Sequence, residues 1–219
     1  MFFNPAYPTY QAFVALGIAA IVTALLMPLW IKLLKIEGIG QQVRADGPKR
    51  HLVKQGTPTM GGVVILLGIV VSCLLLAQPA PSIMLAAGAA LATGALGLLD
   101  DVTSVAQGRS LGLTPRAKMV GLTLIVVAFF LAAVNLCGVE PVIRFPGGFA
   151  IDLGVLTTTF SVAGTTISVP WLYLVFVFLL LAGMSNAVNL TDGLDGLAGG
   201  TVMIAMLVMA AICFLRGDP

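Results

Sequence analysis

Apolar residues in this chain come in long runs that are separated by short polar stretches. The runs cover about residues 11–34, 59–77, 82–99, 118–138, 170–188 and 197–215. Each is close to the roughly 17–25 residues that an α-helix needs to cross a bilayer. The pattern predicts an all-α polytopic membrane protein with about six transmembrane helices. The first run has no basic leader and no small-residue cleavage site, which favours a retained helix over a signal peptide.

The connection at residues 138–169 has a different pattern. β-branched and alternating residues surround Ile143, Ile151 and Thr158, and Pro-Gly-Gly at 146–148 interrupts them. Such runs, bounded by turn residues, are typical of β-hairpins. One or two short hairpins are therefore expected as an external cap.

Composition supports a single integral membrane domain over residues 1–219. The chain is 59% hydrophobic and 9% charged, whereas soluble domains carry about 25% charged residues. Its net charge of +2 is too small to indicate nucleic-acid binding. Cys73, Cys137 and Cys213 lie in or beside apolar runs, so they are expected to pack there as small residues and not to form disulfides.

The Lys and Arg residues orient the predicted helices. With the N-terminus outside, nine lie at or near the cytoplasmic face: Lys32, Lys35, Arg44, Lys49, Arg50, Lys54, Arg109, Arg116 and Lys118. Two lie outside, Arg144 and Arg216. This excess is the usual one for cytoplasmic loops. The topology places three polar segments, residues 36–56, 100–117 and 186–196, on one face, where they could form a single site.

The second of these segments begins with an acidic pair, Asp100 and Asp101. Adjacent carboxylates repel each other at a low-dielectric boundary, and Mg²⁺, which also binds phosphate oxygens, would relieve the repulsion. Alternatively, one of them acts as a general base or nucleophile toward a phosphoryl centre. The structural alternative is a solvated helix end, and the pair alone does not decide between these interpretations.

The end of the first polar segment resembles the start of a helix. Thr57 and Pro58 have the pattern of an N-cap and a first-turn proline, which would leave backbone N–H groups available to an anion. Capping does not explain Thr59 or the paired glycines at 61–62. His51 is more simply a loop residue than a ligand.

The third segment concentrates polar groups at the end of an apolar run. Asn186, Asn189 and Asp192 follow one another at spacings of three, so neighbours share a helical face. Gly193 and Gly196 allow the backbone to leave the helix. Amides suit recognition of a base or sugar, and a carboxylate can accept from a ring N–H or bind a metal. A simple turn needs fewer polar residues, so these residues indicate a binding function.

Three motifs together resemble the polyprenyl-phosphate N-acetylhexosamine-1-phosphate transferase superfamily, most closely its phospho-N-acetylmuramoyl-pentapeptide transferase branch. They are GTPTMGG at residues 56–62, the Asp100-Asp101 pair followed by GLTPRAK at 112–118, and NAVNLTDGLDG at 186–196. The resemblance implies a ten-helix bundle of which this chain holds about six helices. It also implies the bacterial cytoplasmic (inner) membrane, with the active site facing the cytoplasm.

The resemblance implies a reaction in peptidoglycan synthesis. Phospho-N-acetylmuramoyl-pentapeptide would pass from its UDP derivative to undecaprenyl phosphate, which gives lipid I and UMP. Mg²⁺ is the implied cofactor. The implied partners are UDP-N-acetylmuramoyl-pentapeptide, undecaprenyl phosphate and membrane lipid, with a homodimer as an expected assembly and no nucleic acid.

The motifs also imply roles for individual residues. Asp100 and Asp101 would belong to the catalytic centre and are the candidate metal ligands, and Lys118 is a candidate phosphate contact. The nucleotide-sugar pocket would contain Lys54, Thr59, Asn186, Asn189, Asp192 and Asp195.

Two features depart from the family pattern. The family usually has lysine three residues beyond the second aspartate, where this chain has Ser104. A cationic phosphate contact is therefore either absent or supplied by Arg109 or Lys118. Family members also carry a third aspartate and a histidine-rich loop beyond the sixth helix. Because this chain stops at Pro219, it is expected to be the N-terminal portion of a longer reading frame.

Three alternatives remain open. Sister enzymes that transfer N-acetylglucosamine-1-phosphate share the acidic pair but usually not the GTPTMGG motif. A small transporter or channel would carry its charges in mid-span, whereas these acidic groups cluster at one face. A catalytically silent membrane fragment is the third alternative.

Overall fold

The computed structural model describes residues 8–40, 56–77, 80–108, 112–145, 148–162, 164–192, 194 and 196–216. Six α-helices form the framework of this described part. In chain order they are α1 (Pro8–Ile36), α2 (Gly62–Leu76), α3 (Pro81–Ala106), α4 (Pro115–Asn135), α5 (Trp171–Thr191) and α6 (Leu197–Arg216). Each predicted span is a helix, so the predicted fold class is confirmed.

Four of these helices are long and apolar enough to cross a membrane: α1 from Gln11, α3, α4 and α5. The helix α2 and the apolar part of α6, Leu197–Cys213, are shorter. At 1.5 Å per residue, the 15 residues of α2 extend about 22 Å, less than the roughly 30 Å hydrocarbon core. The chain is a multi-pass membrane protein.

Close backbone approach holds α1 against α2. A Cβ atom on Gly68 would lie 2.5 Å from Thr23 Oγ1 and 2.9 Å from the Ala19 carbonyl oxygen. One turn further along α2, the Ser72 hydroxyl donates to the Ala15 carbonyl oxygen at 2.8 Å. Small residues permit this approach between membrane helices, where hydrogen bonds and packing drive association. The two helices are therefore antiparallel neighbours.

The chain divides into two compact units, Met1–Leu122 and Thr123–Pro219. The second unit contains two antiparallel hairpins between α4 and α5, as the sequence predicts. They are β1 (Val142–Arg144) with β2 (Ala150–Asp152), and β3 (Thr157–Val162) with β4 (Thr165–Pro170).

The second hairpin is fixed to the ends of both neighbouring helices. At the end of α4, the Asn135 side chain donates to the Ser168 carbonyl oxygen (3.1 Å) and accepts from the Ser168 N–H (2.7 Å). At the start of α5, the Trp171 indole donates to Thr158 Oγ1 at 3.0 Å. Between the helices, Phe130 is buried and lies 6.0 Å from Tyr173, centroid to centroid. These contacts join the hairpin to the helices as one packed unit.

Two helix boundaries next to the acidic pair differ from the predicted ones. The second helix begins at Gly62 and not near 59, because residues 57–60 are non-helical and Met60 has a left-handed backbone. The third helix continues to Ala106 and not to 99, so it includes Asp100 and Asp101. Intrahelical bonds support the extension: the Thr103 hydroxyl donates to the Leu99 carbonyl oxygen at 2.6 Å.

Candidate active site

The acidic pair lies in the last two turns of α3. Successive residues of an α-helix differ in direction by about 100°, so the carboxylates of Asp100 and Asp101 meet different neighbours. Both residues are partly exposed. A different part of the chain binds each of them.

Asp101 is bound by the segment that precedes α2. The Thr59 hydroxyl donates to Asp101 Oδ2 at 3.3 Å. The backbone N–H of Met60 faces the same carboxylate. Two consecutive residues of the GTPTMGG motif therefore lie at Asp101. Thr59, which the motif resemblance placed in the nucleotide-sugar pocket, contacts the acidic pair.

Met60 has an unusual backbone. Its φ is +62°, the only positive φ at a non-glycine residue in the described part. The following Gly61 could adopt this conformation without strain, but its φ is −61°. A positive φ at a residue with a side chain costs about 1–3 kcal/mol and persists only where surrounding contacts impose it. One such contact is the Trp30 indole of α1, which donates to the Met60 carbonyl oxygen at 3.2 Å.

Asp100 is bound by the segment that leads into α4. The Leu113 N–H donates to Asp100 Oδ1 at 2.7 Å, and Lys118 Nζ lies 3.5 Å from Oδ2. The side chains of Lys118 and Asp100 are 23% and 26% exposed, so a ligand can reach the ion pair. Lys118 is thus a cation beside the acidic pair, as a phosphate contact requires.

Gly112 allows this segment to approach α3. A Cβ atom on Gly112 would lie 2.0 Å from the Asp100 carbonyl oxygen and 2.7 Å from its Oδ1. No real Cβ atom tolerates such distances to backbone. The position therefore requires glycine for the Leu113 N–H to reach Asp100.

The Thr-Pro capping pattern occurs at α4 and not at α2. Thr114 Oγ1 accepts from the Ala117 N–H at 3.2 Å, and Pro115 is the first helical residue. This N-cap places Lys118 in the first turn of α4, within reach of Asp100. The predicted cap at Thr57 and Pro58 is wrong: α2 has Gly61 at its N-cap, without a side-chain cap.

The contacts bring four helix ends together within the first unit. The Trp30 indole links the end of α1 to the segment before α2, Thr59 links that segment to the end of α3, and Lys118 links α3 to the start of α4. The GTPTMGG motif and the 100–117 segment therefore lie together, whereas most of the 36–56 segment lies outside the described residues.

The third polar segment lies in the second unit. Asn186 and Asn189 are on the last turns of α5, and Asp192 is its C-cap residue. The Asn186 amide donates to the Ala182 carbonyl oxygen at 2.8 Å. Asn189 and Asp192 are exposed, and Gly196 has a φ of +79°. Asn186 and Asn189 share a helical turn as predicted, and the chain leaves the helix before Gly196.

Several predicted residues lie outside the described part of the chain. They are His51, Lys54, Arg109, Gly193 and Asp195. Ser104, which stands where the family usually has lysine, lies on α3 one turn beyond Asp101.

The acidic pair has the oxygen donors that Mg²⁺ prefers. Each carboxylate offers about four lone-pair positions, so the observed hydrogen bonds leave acceptor capacity. Within the described residues, no group of three or more His, Cys, Asp or Glu side chains could hold a metal ion. Mg²⁺ commonly binds one or two carboxylates together with substrate phosphates. The pair therefore fits an ion that arrives with a phosphate ligand.

Sequence reasoning missed four contributors to this site: the Trp30 indole, the Met60 backbone, Gly112 and the Leu113 N–H. Backbone donors carry no residue-type signal. The available signal was a glycine two residues before a Thr-Pro helix start, where the chain can approach another element closely. Trp30 lies among apolar residues and resembles an ordinary membrane-interface aromatic.

Comparison with known proteins gives two matches to family models. Residues 83–219 match the model for glycosyl transferase family 4. Residues 54–66 match the phospho-N-acetylmuramoyl-pentapeptide-transferase signature 1. The signature includes Thr59 and Met60, and the family match includes both aspartates and Lys118.

Curated relatives carry the name phospho-N-acetylmuramoyl-pentapeptide-transferase. That of Desulforudis audaxviator is 42% identical over 217 residues, covering 92% of this chain and 60% of the relative. Those of Corynebacterium jeikeium and Bacillus subtilis are both 39% identical, covering 93% and 89% of this chain and 58% and 56% of their own. The chain spans about three fifths of the length of the curated relatives it matches.

Proposed function

Because the chain belongs to glycosyl transferase family 4, we propose that it forms part of the active site of a phospho-N-acetylmuramoyl-pentapeptide transferase. The proposed reaction transfers phospho-N-acetylmuramoyl-pentapeptide from its UDP derivative to undecaprenyl phosphate, with lipid I and UMP as products. The observation that carries the proposal is the pair of adjacent aspartates at the end of an apolar helix, each oriented by donors from a different segment.

In the proposed reaction, an oxygen of undecaprenyl phosphate attacks the β-phosphorus of the UDP-sugar. A new P–O bond forms, the bond from the β-phosphorus to the bridging oxygen breaks, and UMP leaves with that oxygen. Such transfers depend on positioning and charge neutralisation more than on covalent catalysis. Lys118 would contact a phosphate, and Asp100 would orient Lys118 through their ion pair.

Asp100 and Asp101 would hold Mg²⁺ together with substrate phosphate oxygens. The ion would neutralise charge on the transferring phosphoryl group. Thr59 and the Met60 N–H keep the Asp101 carboxylate in one orientation, so less reorganisation is needed when the ligand binds.

The nucleotide-sugar pocket is proposed to include Lys54, Thr59, Asn186, Asn189, Asp192 and Asp195. Amides that both donate and accept suit the uracil and sugar groups. The exposure of Asn189 and Asp192 at the end of α5 is compatible with ligand contact. The proposed location is the bacterial cytoplasmic membrane with this site on the cytoplasmic side, where the soluble and lipid substrates meet.

The test is UMP release by the purified chain in vesicles that contain undecaprenyl phosphate, with UDP-N-acetylmuramoyl-pentapeptide and Mg²⁺ added. We expect UMP release that stops when EDTA removes Mg²⁺, and that falls at least about 100-fold in Asp100→Asn and Asp101→Asn. UDP-N-acetylglucosamine serves as the comparison substrate, and its preferential use would identify the sister transferase activity. Absence of UMP with both substrates would refute autonomous catalysis and favour the silent fragment.

A further inference from the structure

We propose that Trp30 and Met60 act as a positioning clamp for Asp101. Met60 is the central residue: its carbonyl oxygen accepts from the Trp30 indole of α1, its N–H faces the Asp101 carboxylate of α3, and the adjacent Thr59 hydroxyl donates to that carboxylate. The importance of Asp101 for turnover rests on the proposed function, whereas the clamp itself rests on these contacts.

The backbone of Met60 needs an external restraint. A φ of +62° is unfavourable for a residue with a side chain, and two glycines that tolerate it follow directly. If Gly61 adopted the positive φ in place of Met60, the Met60 N–H would turn away from Asp101. The Trp30 hydrogen bond restrains the Met60–Gly61 peptide group, and the positive φ of Met60 sets the orientation of the preceding Thr59–Met60 peptide group, which carries the N–H next to the carboxylate.

The position of Trp30 is fixed by helix packing. Contacts of Gly68 and Ser72 with α1 lock α1 against α2. One turn before Trp30, the Met27 side chain lies 3.9 Å from where a Cβ atom of Gly61 would be. α1 therefore contacts the 59–61 segment at both Met60 and Gly61.

The competing explanation is that Trp30 is only an interfacial aromatic, of the kind that marks membrane–water boundaries. Such a residue would be insensitive to the backbone preference of position 60 and to which aspartate is neutralised. The clamp predicts sensitivity to both.

The test uses the full 219-residue chain in lipid nanodiscs. The chain has two tryptophans, so Trp171→Phe leaves the Trp30 indole N–H as a single ¹⁵N NMR signal. We expect Met60→Gly to keep the signal's chemical shift and its slow exchange with water. Met60→Val, whose β-branched side chain opposes a positive φ, should displace the signal and speed exchange at least about tenfold.

A matched aspartate pair makes the result independent of whether Met60→Val folds. Asp101→Asn should shift the Trp30 indole signal, whereas Asp100→Asn should leave it in place, because Asp100 is bound by Leu113 and Lys118 instead. Equal responses to the two substitutions, or equal signals in Met60→Gly and a folded Met60→Val, would overturn the clamp.

UMP release by the same sample scores the proposed function separately. An intact indole signature without UMP refutes autonomous transferase activity but not the clamp, and UMP release without the signature refutes the clamp but not the transferase activity. In the active enzyme, Trp30→Phe should lower kcat about tenfold, the effect of one hydrogen bond, with KM for the UDP-sugar within about twofold. Adding Met60→Gly to Trp30→Phe should restore most of kcat, because glycine adopts the positive φ without the hydrogen bond. A loss of kcat caused by missing Trp30 packing would not be restored by this second substitution.

Discussion

At the residue scale, the site separates two neighbouring carboxylates by giving each its own donors. Asp101 receives the Thr59 hydroxyl and the Met60 N–H, while Asp100 receives the Leu113 N–H and Lys118. Substitutions can therefore affect one carboxylate at a time. This makes the division of roles within the pair accessible to experiment.

The Thr59 hydroxyl can be tested without changing side-chain volume. Thr59→Val removes the hydrogen bond to Asp101, and bonds to a charged group contribute about 1.5–3 kcal/mol. We expect kcat for UMP release to fall roughly 10–100-fold, whereas Thr59→Ser, which keeps the hydroxyl, should stay within about threefold of the parent. Equal losses in both variants would mean that the methyl group and not the hydrogen bond matters.

At the element scale, glycines decide how close the elements approach. Gly112 brings the segment before α4 onto Asp100, and Gly68 brings α2 onto α1. A hydropathy pattern finds the helices but not these approaches, since glycine also occurs at positions in open space, such as Gly88.

Gly112→Ala should separate the α4 segment from Asp100. The new Cβ would meet the Asp100 backbone, which cannot move without distorting α3. We expect a loss of about 2–4 kcal/mol in the free energy of unfolding and a loss of turnover. Gly88→Ala on α3 is the control: nothing lies within 4 Å of its Cβ, so stability should be unchanged or rise by up to about 1 kcal/mol. Similar destabilisation by both would contradict a specific approach at Gly112.

Asn135 joins α4 to the second hairpin, and its removal should loosen that hairpin. Asn135→Ala leaves the Ser168 N–H and carbonyl without their side-chain partner, at a cost of about 1–3 kcal/mol. Hydrogen exchange should accelerate in β3 and β4 and not in β1 and β2. The control is Asp152→Asn at an exposed position of the other hairpin, which should leave exchange in β3 and β4 unchanged. Faster exchange in both hairpins of Asn135→Ala would contradict a local role for Asn135.

At the scale of the whole molecule, the sequence predicted the elements better than their ends. Apolar runs identified all six helices, and turn residues identified the hairpins. The run lengths could not show that α3 continues through Asp100 and Asp101, because polar residues ended the run while helical hydrogen bonds continued to Ala106. The Thr-Pro pattern occurs twice, at Thr57 and at Thr114, and the sequence alone does not show that only Thr114 is a cap.

The site was predictable in its charged residues and not in its backbone donors. Asp100, Asp101, Thr59 and Lys118 are recognisable by type and motif. Local preference puts a left-handed backbone at one of the glycines that follow Met60, whereas the structure has it at Met60, whose carbonyl oxygen accepts from Trp30. Backbone conformations imposed by a neighbouring helix are not encoded in the local sequence.

The helix ends that meet in the first unit support the proposed orientation of the chain in the membrane. The ends of α1 and α3 and the start of α4 meet around Asp100 and Asp101, so Glu37, just beyond α1, belongs to the same face. The 21 residues of α4 extend about 31 Å, enough to cross the membrane. The hairpins that follow α4 should therefore lie on the opposite face, and the distribution of Lys and Arg makes that face the outer one.

Single cysteines can test this arrangement after Cys73, Cys137 and Cys213 are replaced by serine. Val155, between the hairpins, is 75% exposed, and Glu37 is also exposed. On intact cells, a membrane-impermeant maleimide should label Val155→Cys and not Glu37→Cys, which should react only after permeabilisation. The opposite labelling would place the acidic pair outside, where a cytoplasmic UDP-sugar cannot reach it, and would rule out the proposed reaction at this site. Labelling of both from one side would mean that α4 does not cross the membrane.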